Sequence, residues 1–215
     1  MKIKWLGHAS FMIISDTGTK IITDPYLTGG NLGYGEIRES ADVVTVSHDH
    51  SDHNNVAAVR GNPKVVSGTV TTDVKGVNIK GIPCYHDDAQ GKQRGKNILF
   101  CFEVDGIRVC HLGDLGHPLS DKEVAELGTV DILLIPVGGF YTIDARVAGQ
   151  VCDRLKPKVI IPMHFKNNRC AYPIAGVDEF LRGERGVEHL NTSEAEFKLG
   201  ELRTSTQIIV LKPAL

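Results

Sequence analysis

No apolar run in this 215-residue chain reaches the roughly 18 residues that a membrane-spanning helix needs. Excess charge of either sign is missing too, since 24 basic and 26 acidic side chains leave a net charge of −2. A nucleic-acid binder carries a basic surplus or a dense basic stripe, so no nucleic-acid partner is expected. The five cysteines (Cys84, Cys101, Cys110, Cys152 and Cys170) are an odd number with no Cys-x-x-Cys pair. That argues against a disulfide framework and against a zinc knuckle. Cys84, Cys101, Cys110 and Cys152 lie in apolar segments, where a free thiol acts as a small hydrophobe, whereas Cys170 follows the polar pair Asn168-Arg169. No Gly-x-Ser-x-Gly elbow offers a serine nucleophile. The opening Met1-Lys2-Ile3-Lys4-Trp5-Leu6 alternates like a strand, with no signal-type apolar core, so a cytoplasmic protein without membrane association is the expectation.

The residues that are present make a strand-rich globular chain. Apolar content is 41% and charged content 23%, and neither a linker nor a repeat divides the sequence, so a single domain over 1–215 is expected. Twenty-three glycines and many short β-branched runs predict strands at 2–6, 11–15, 20–23, 43–46, 64–67, 77–85, 97–104, 108–112, 132–135, 159–161 and 207–211. Asp105-Gly106 between two of them is a hairpin signal. Helices are predicted at 54–60, 120–127, 142–155 and 177–182. The second opens with a Ser120/Glu123 capping box. The third carries Ile143, Val147, Val151 and Leu155 on one face and stops at Lys156-Pro157. Its flanking apolar runs make a β-α-β unit. The glycine-rich polar loops at 25–40 and 87–96 are long enough to be functional.

One segment is far from ordinary. His48-Asp49-His50-Ser51-Asp52-His53 places three imidazoles and two carboxylates directly after the apolar run Val43-Val44-Thr45-Val46. Imidazole and carboxylate together are the donors that divalent transition metals take up. Three further candidates stand where an apolar run gives way to a loop: His86, Asp114 and His164. A β framework assembles ligands from distant positions when several strand ends meet at one rim.

The pattern His-x-His-x-Asp-His, then His86, Asp114 and His164, resembles the metallo-β-lactamase superfamily along the length of the chain. Leu6-Gly7-His8-Ala9-Ser10-Phe11, Thr23-Asp24-Pro25, Gly113-Asp114, Pro136-Val137-Gly138-Gly139 and Pro162-Met163-His164 are similar to its branch of L-ascorbate-6-phosphate lactonase-like hydrolases. The resemblance implies an α/β fold, a four-layer αβ/βα sandwich with two mixed β-sheets and helices on both outer sides. It also implies two divalent metal ions. His48, His50 and His86 would hold the first, and Asp52, His53 and His164 the second, with Asp114 bridging. Zinc is the first choice of metal; manganese and iron accept the same donors.

Other residues are candidates for support or substrate contact. His8 is either a structural histidine or a contact to ligand or substrate. His111, inside a predicted strand, reads as buried support. Asp24 is a turn former or an acceptor that orients a ligand imidazole. His117 and His189 read as surface residues. Lys92, Arg94 and Lys96 after His86, and Lys166 and Arg169 after His164, are cations able to anchor a phosphate or carboxylate. Tyr141 and Thr142 follow Gly138-Gly139 and either face the pocket or, for Thr142, cap the helix.

The expected activity is hydrolysis by a water or hydroxide shared between two metals, with Asp114 and Asp52 as the catalytic carboxylates. Its substrate would be a small phosphorylated or lactone-type metabolite. A phosphodiesterase is the alternative, and a di-iron redox protein or a non-catalytic scaffold remain further options.

Overall fold

The structure, a computed structural model, describes residues 1–215. Fourteen strands form two sheets. The smaller has the order β13 (Glu194–Glu196), β1 (Lys2–Gly7), β2 (Ser10–Ile14), β3 (Lys20–Thr23), β4 (Val43–Val46) and β5 (Lys64–Ser67). The larger runs β12 (Val187–His189), β14 (Gln207–Val210), β11 (Val159–Met163), β10 (Ile132–Pro136), β9 (Ile107–His111), β8 (Lys96–Val104), β7 (Val77–Tyr85) and β6 (Thr71–Val74). Both are mixed. In the smaller sheet β13, β1, β2 and β3 pair antiparallel while β3, β4 and β5 run parallel. In the larger, β6 to β9 alternate and β9, β10, β11, β14 and β12 are parallel.

Strand alternation explains how the sheets stack. Ile3, Trp5, Phe11, Ile13, Ile21 and Val43 point into an apolar cluster of 48 buried residues that also takes Ile79, Leu99, Phe100 and Leu134 of the larger sheet. Their neighbours Leu6, Met12, Ile22 and Val44 point the other way, into a second cluster of 11. Both faces of the small sheet are therefore buried, which is why its strands read as nearly continuous apolar runs.

The outer layers differ. The α-helices are α1 (Asp121–Leu127), α2 (Ala145–Leu155) and α3 (Val177–Leu181). α2 is the crossover between β10 and β11 and α1 packs against β7, so these two serve the larger sheet, with α3 on α2. Over the smaller sheet the covering cluster draws on Tyr26, Leu32, Tyr34 and Ile37 of the long loop and on Val59 beside a 3-10 turn, with no α-helical residue. The helix expected at 54–60 is only that turn, Val56–Ala58. The Arg60 amide, which a helix would give to the Val56 carbonyl, goes instead to Glu39, and the Asn55 amide goes to Pro25.

The Ser120/Glu123 capping box is present, and Asp105 and Gly106, both at positive φ, make the β8–β9 hairpin turn. α2 starts at Ala145, and Asp144 rather than Thr142 caps it, its Oδ1 accepting from the Val147 amide at 2.8 Å. β6, β12 and β13 had no sequence signal: they are short edge strands without a clean apolar alternation. No helix is long and apolar enough to cross a membrane.

Candidate metal centre

All seven expected ligands lie just beyond the C-terminal end of a strand. β4 leads into 47–53, β7 into His86, β9 into Asp114 and β11 into His164; β3 leads into Asp24, and His8 sits in the β1–β2 turn. Ends that face the same way in each sheet bring these loops over a common rim.

Asp114 is at the centre. Its Oδ2 is 3.3 Å from His53 Nε2, 3.3 Å from His86 Nε2, 3.4 Å from His164 Nε2 and 3.9 Å from His48 Nε2. The donor atoms of His48, His50 and His86 fall within 4.8 Å of one another, as do those of His8, Asp52, His53 and His164. Asp114 thus touches members of two adjoining donor groups. Donors at about 2.1 Å around a tetrahedral cation stand about 3.4 Å apart, so the spacing suits side chains that share an ion.

Unpartnered atoms say the same. His48 Nε2, His53 Nε2 and Asp114 Oδ1, which all face the cluster, are buried without a hydrogen bond. Buried polar groups left unpaired are costly, and three that converge on one place call for a common partner. The residues fit divalent metal.

Behind the donors, Asp24 sets two tautomers. Fully buried, it accepts from the Ser47 amide at 2.8 Å, the Ser47 hydroxyl at 2.5 Å and His53 Nδ1 at 2.9 Å. A serine hydroxyl has one proton. Given to Asp24, it leaves Ser47 Oγ to accept from His48 Nδ1, which lies 2.9 Å away. Both imidazoles then carry hydrogen on Nδ1, so Nε2 is the nitrogen each turns to the cluster and would offer to a cation. Asp114 is fixed by Asn97, whose Oδ1 accepts from its amide at 3.0 Å while the Asn97 amide group donates to the Leu112 carbonyl. Gly113, at φ +53°, lets Asn97 and Ser47 close in: a Cβ there would lie 2.5 Å from Asn97 Oδ1.

The electrostatics follow from burial and like charge. Burial, reinforced by His53, pushes His48 down to about 3, and burial with His164 lowers His8 to about 4. Burial opposes ionisation of Asp114, but His164 and His53 outweigh it and hold the carboxyl well below its usual range. Asp52 is lowered likewise, against burial, chiefly by His8. His53 goes the other way: burial disfavours its charge, yet Asp114 and Asp24 raise it well above the ordinary value.

The remaining candidates separate cleanly. Asp24 is an acceptor behind the ligands. His111 is a support: Nε2 lies 2.8 Å from the Ala9 carbonyl, and Nδ1 accepts from Gly113. His8, equally buried, has Nε2 3.3 Å from Asp52 Oδ2 and its ring 4.1 Å from that of His164. A cavity of about 280 Å³ opens on the cluster, lined by His50, Asp52, His86, Arg94, Asp114, Tyr141, His164 and Tyr172. Of the five candidate cations only Arg94 is among them. Lys92 is exposed, Lys96 borders a separate hollow, Lys166 is exposed and Arg169 reaches the Gly33 carbonyl. Lys166 and Arg169 therefore do not reach the site. His189 is exposed and His117 only partly covered, while Cys170 is buried under the long loop. Ser47, Asn97 and Tyr172 went unnoticed in the sequence. Ser47 adjoins the motif and was the one within reach of a local reading.

Comparison with known proteins agrees with this geometry. Residues 2–164 match the family model described as a β-lactamase superfamily domain. A metal-dependent hydrolase of Thermococcus onnurineus is 31% identical, covering 77% of this chain and 84% of its own. One from Pelotomaculum thermopropionicum is 30% identical over 99% of this chain and 97% of its own. A solved metallo-β-lactamase superfamily protein from Thermotoga maritima superposes with a TM-score of 0.82 at 41% identity, covering 98% of this chain and 97% of that one.

Proposed function

This chain belongs to the metallo-β-lactamase superfamily, and from that premise we propose that it is a metal-dependent hydrolase of a small phosphorylated or lactone-type metabolite. The observation that carries the reading is Asp114, buried between two groups of donors with four imidazole nitrogens within 3.9 Å of one carboxylate oxygen. The relatives named metal-dependent hydrolases support the reaction class. His48, His50 and His86 would hold one divalent ion and Asp52, His53 and His164 a second, with Asp114 shared. Zinc is the metal in the Thermotoga protein's descriptive name and suits this donor set, as manganese and iron do.

Such ions, when bound, acidify a water and polarise a carbonyl or phosphoryl oxygen. The chain's own groups do the rest. Asp24 and Ser47 keep the imidazoles of His53 and His48 in the tautomer that ligates. Asp114, ionised and fixed by Asn97, offers an acceptor for the attacking water's proton. Asp52, ionised as well, faces the cavity and accepts from the Tyr172 hydroxyl at 3.4 Å; the proton given up by the water would travel on to the leaving group by way of Asp52 or a solvent molecule. The cavity lies at the small end of ligand pockets, which favours a metabolite over a polymer. Within the superfamily, the motifs around His8, Asp24, Gly138 and His164 resemble those of the lactonase-like branch.

The test is metal content by elemental analysis together with hydrolysis of a panel of lactones, sugar-phosphate lactones and a generic phosphodiester, with added metal and with chelator. Chelator-sensitive lactone hydrolysis is expected. Turnover confined to the phosphodiester would move the assignment to that class, and no metal-dependent turnover would remove the enzymatic reading.

A further inference from the structure

We propose that Arg94 is the specificity residue of the cavity and selects substrates bearing a second oxyanion, a phosphate or carboxylate, remote from the bond that is cut. This deepens the proposed function and rests on it for the reaction, though not for the binding.

Four observations lead there. First, Arg94 is the only lysine or arginine that lines the cavity over the donor cluster. Second, no carboxylate claims it. Asp52 and Asp114, the acids of the cavity, face imidazoles, and the guanidinium instead lies over the Tyr141 ring, its central carbon 5.8 Å from the centroid. A cation over a ring face at this distance is attracted to the ring yet keeps its N–H groups for a ligand.

Third, the loop that carries it is held from beneath. The Asp87 carboxylate, directly after His86, accepts from the backbone amides of Ala89 at 2.9 Å, Gly91 at 2.8 Å, Gln93 at 3.0 Å and Arg94 itself at 2.7 Å. A carboxylate that gathers four amides of one loop leaves its backbone little freedom, so the point from which the Arg94 side chain springs is set before any ligand arrives. Fourth, the stack continues into the site. Tyr141 packs edge-on against Tyr172 at 5.6 Å, and the Tyr172 hydroxyl points to Asp52. The guanidinium therefore stands at the outer end of an aromatic wall whose inner end is a proposed ligand. A small substrate lying along that wall would have its reacting bond at the cluster and its far end at Arg94. A planar fork there pairs with two oxygens of a phosphate or carboxylate at once.

The experiment is calorimetric titration of the metal-loaded protein with three probes that differ at one end: gluconate, glucarate and 6-phosphogluconate. All share the carboxylate that the metals can take. Only the second and third have another oxyanion, a carboxylate and a phosphate respectively. The wild-type chain should bind one or both of these about tenfold or more tightly than gluconate, as a charge-assisted pair would give. Whichever wins identifies the source of the oxyanion. Arg94→Ala should erase that preference while gluconate affinity, metal content and circular dichroism stay unchanged. Arg94→Lys, which keeps the charge but loses the fork, should restore part of it. Equal binding of all three probes by the wild type, or an equal loss for all three in Arg94→Ala, would overturn the proposal. Hydrolysis failing on every lactone would instead count against the reaction, and the binding preference would still decide the role of Arg94.

Discussion

The inner and outer walls of the cavity are built on opposite plans. On the inner wall buried polar atoms are tied to one another: Asp24 alone takes three hydrogen bonds, and through Ser47 it governs His48 as well as His53. On the outer wall Arg94, Tyr141 and Tyr172 are partly exposed and meet through ring contacts. The only side-chain hydrogen bond from this trio is the long one from Tyr172 to Asp52. Reaction chemistry demands fixed lone pairs, and hydrogen bonds fix them. Recognition tolerates softer contacts. Reactivity is thus placed in the rigid half and selectivity in the yielding one.

Substitutions should expose that division, with the largest effects inside. His48→Ala removes a donor facing Asp114; elemental analysis should show metal lost from that group, and turnover should fall on the order of a thousandfold or more. Near-normal metal and rate would mean His48 is not a ligand. Asp24→Asn puts an amide N–H among groups that all donate, and should weaken metal binding by about ten- to a hundredfold in competition with a chromophoric chelator. An unchanged affinity would deny that the tautomers matter.

Acid should find the inner wall too. In the metal-free chain burial lowers the folded-state values of His8, His48, His86 and His111, leading the shift in each case, and only His53 is raised. Below about pH 6.5 the unfolded chain takes up protons that the four lowered histidines refuse in the fold, so stability falls with pH towards about 4. His53 opposes this, its contribution being complete below its unfolded value. The net expectation is a Tm of the chelator-treated protein lower by about 5 °C or more at pH 4.5 than at pH 7. A flat profile would mean that water reaches these rings. The smallest effect belongs outside: Tyr172→Phe gives up one long hydrogen bond, about 1 kcal/mol at most, and should change turnover by about five-fold or less with metal content intact.

The same division decided what could be read from the sequence. The contiguous run 48–53 and the strand ends before His86, Asp114 and His164 are local patterns, and apolar runs giving way to polar donors betray them directly. The β-α-β unit, the capping box and the Asp105-Gly106 turn were legible for the same reason. Arg94 could not be told from Lys92 or Lys96, since what singles it out is the Asp87 cage and a ring some fifty residues on. The helix expected at 54–60 failed because distant carbonyls, Pro25 for Asn55 and Glu39 for Arg60, hold its two ends. Likewise the cover of the smaller sheet came from a loop whose aromatic residues, Tyr26 and Tyr34, looked like nothing periodic.

Because Asp24 steers two rings through a single carboxylate, errors at this position are correlated rather than independent. A change at Ser47 forfeits His48 alone, whereas a change at Asp24 forfeits both rings, and the double replacement should be hardly worse than the second by itself. Lineages that drift at position 24 would have to rewire both histidines in the same step, which leaves that aspartate the least negotiable residue that never meets the substrate.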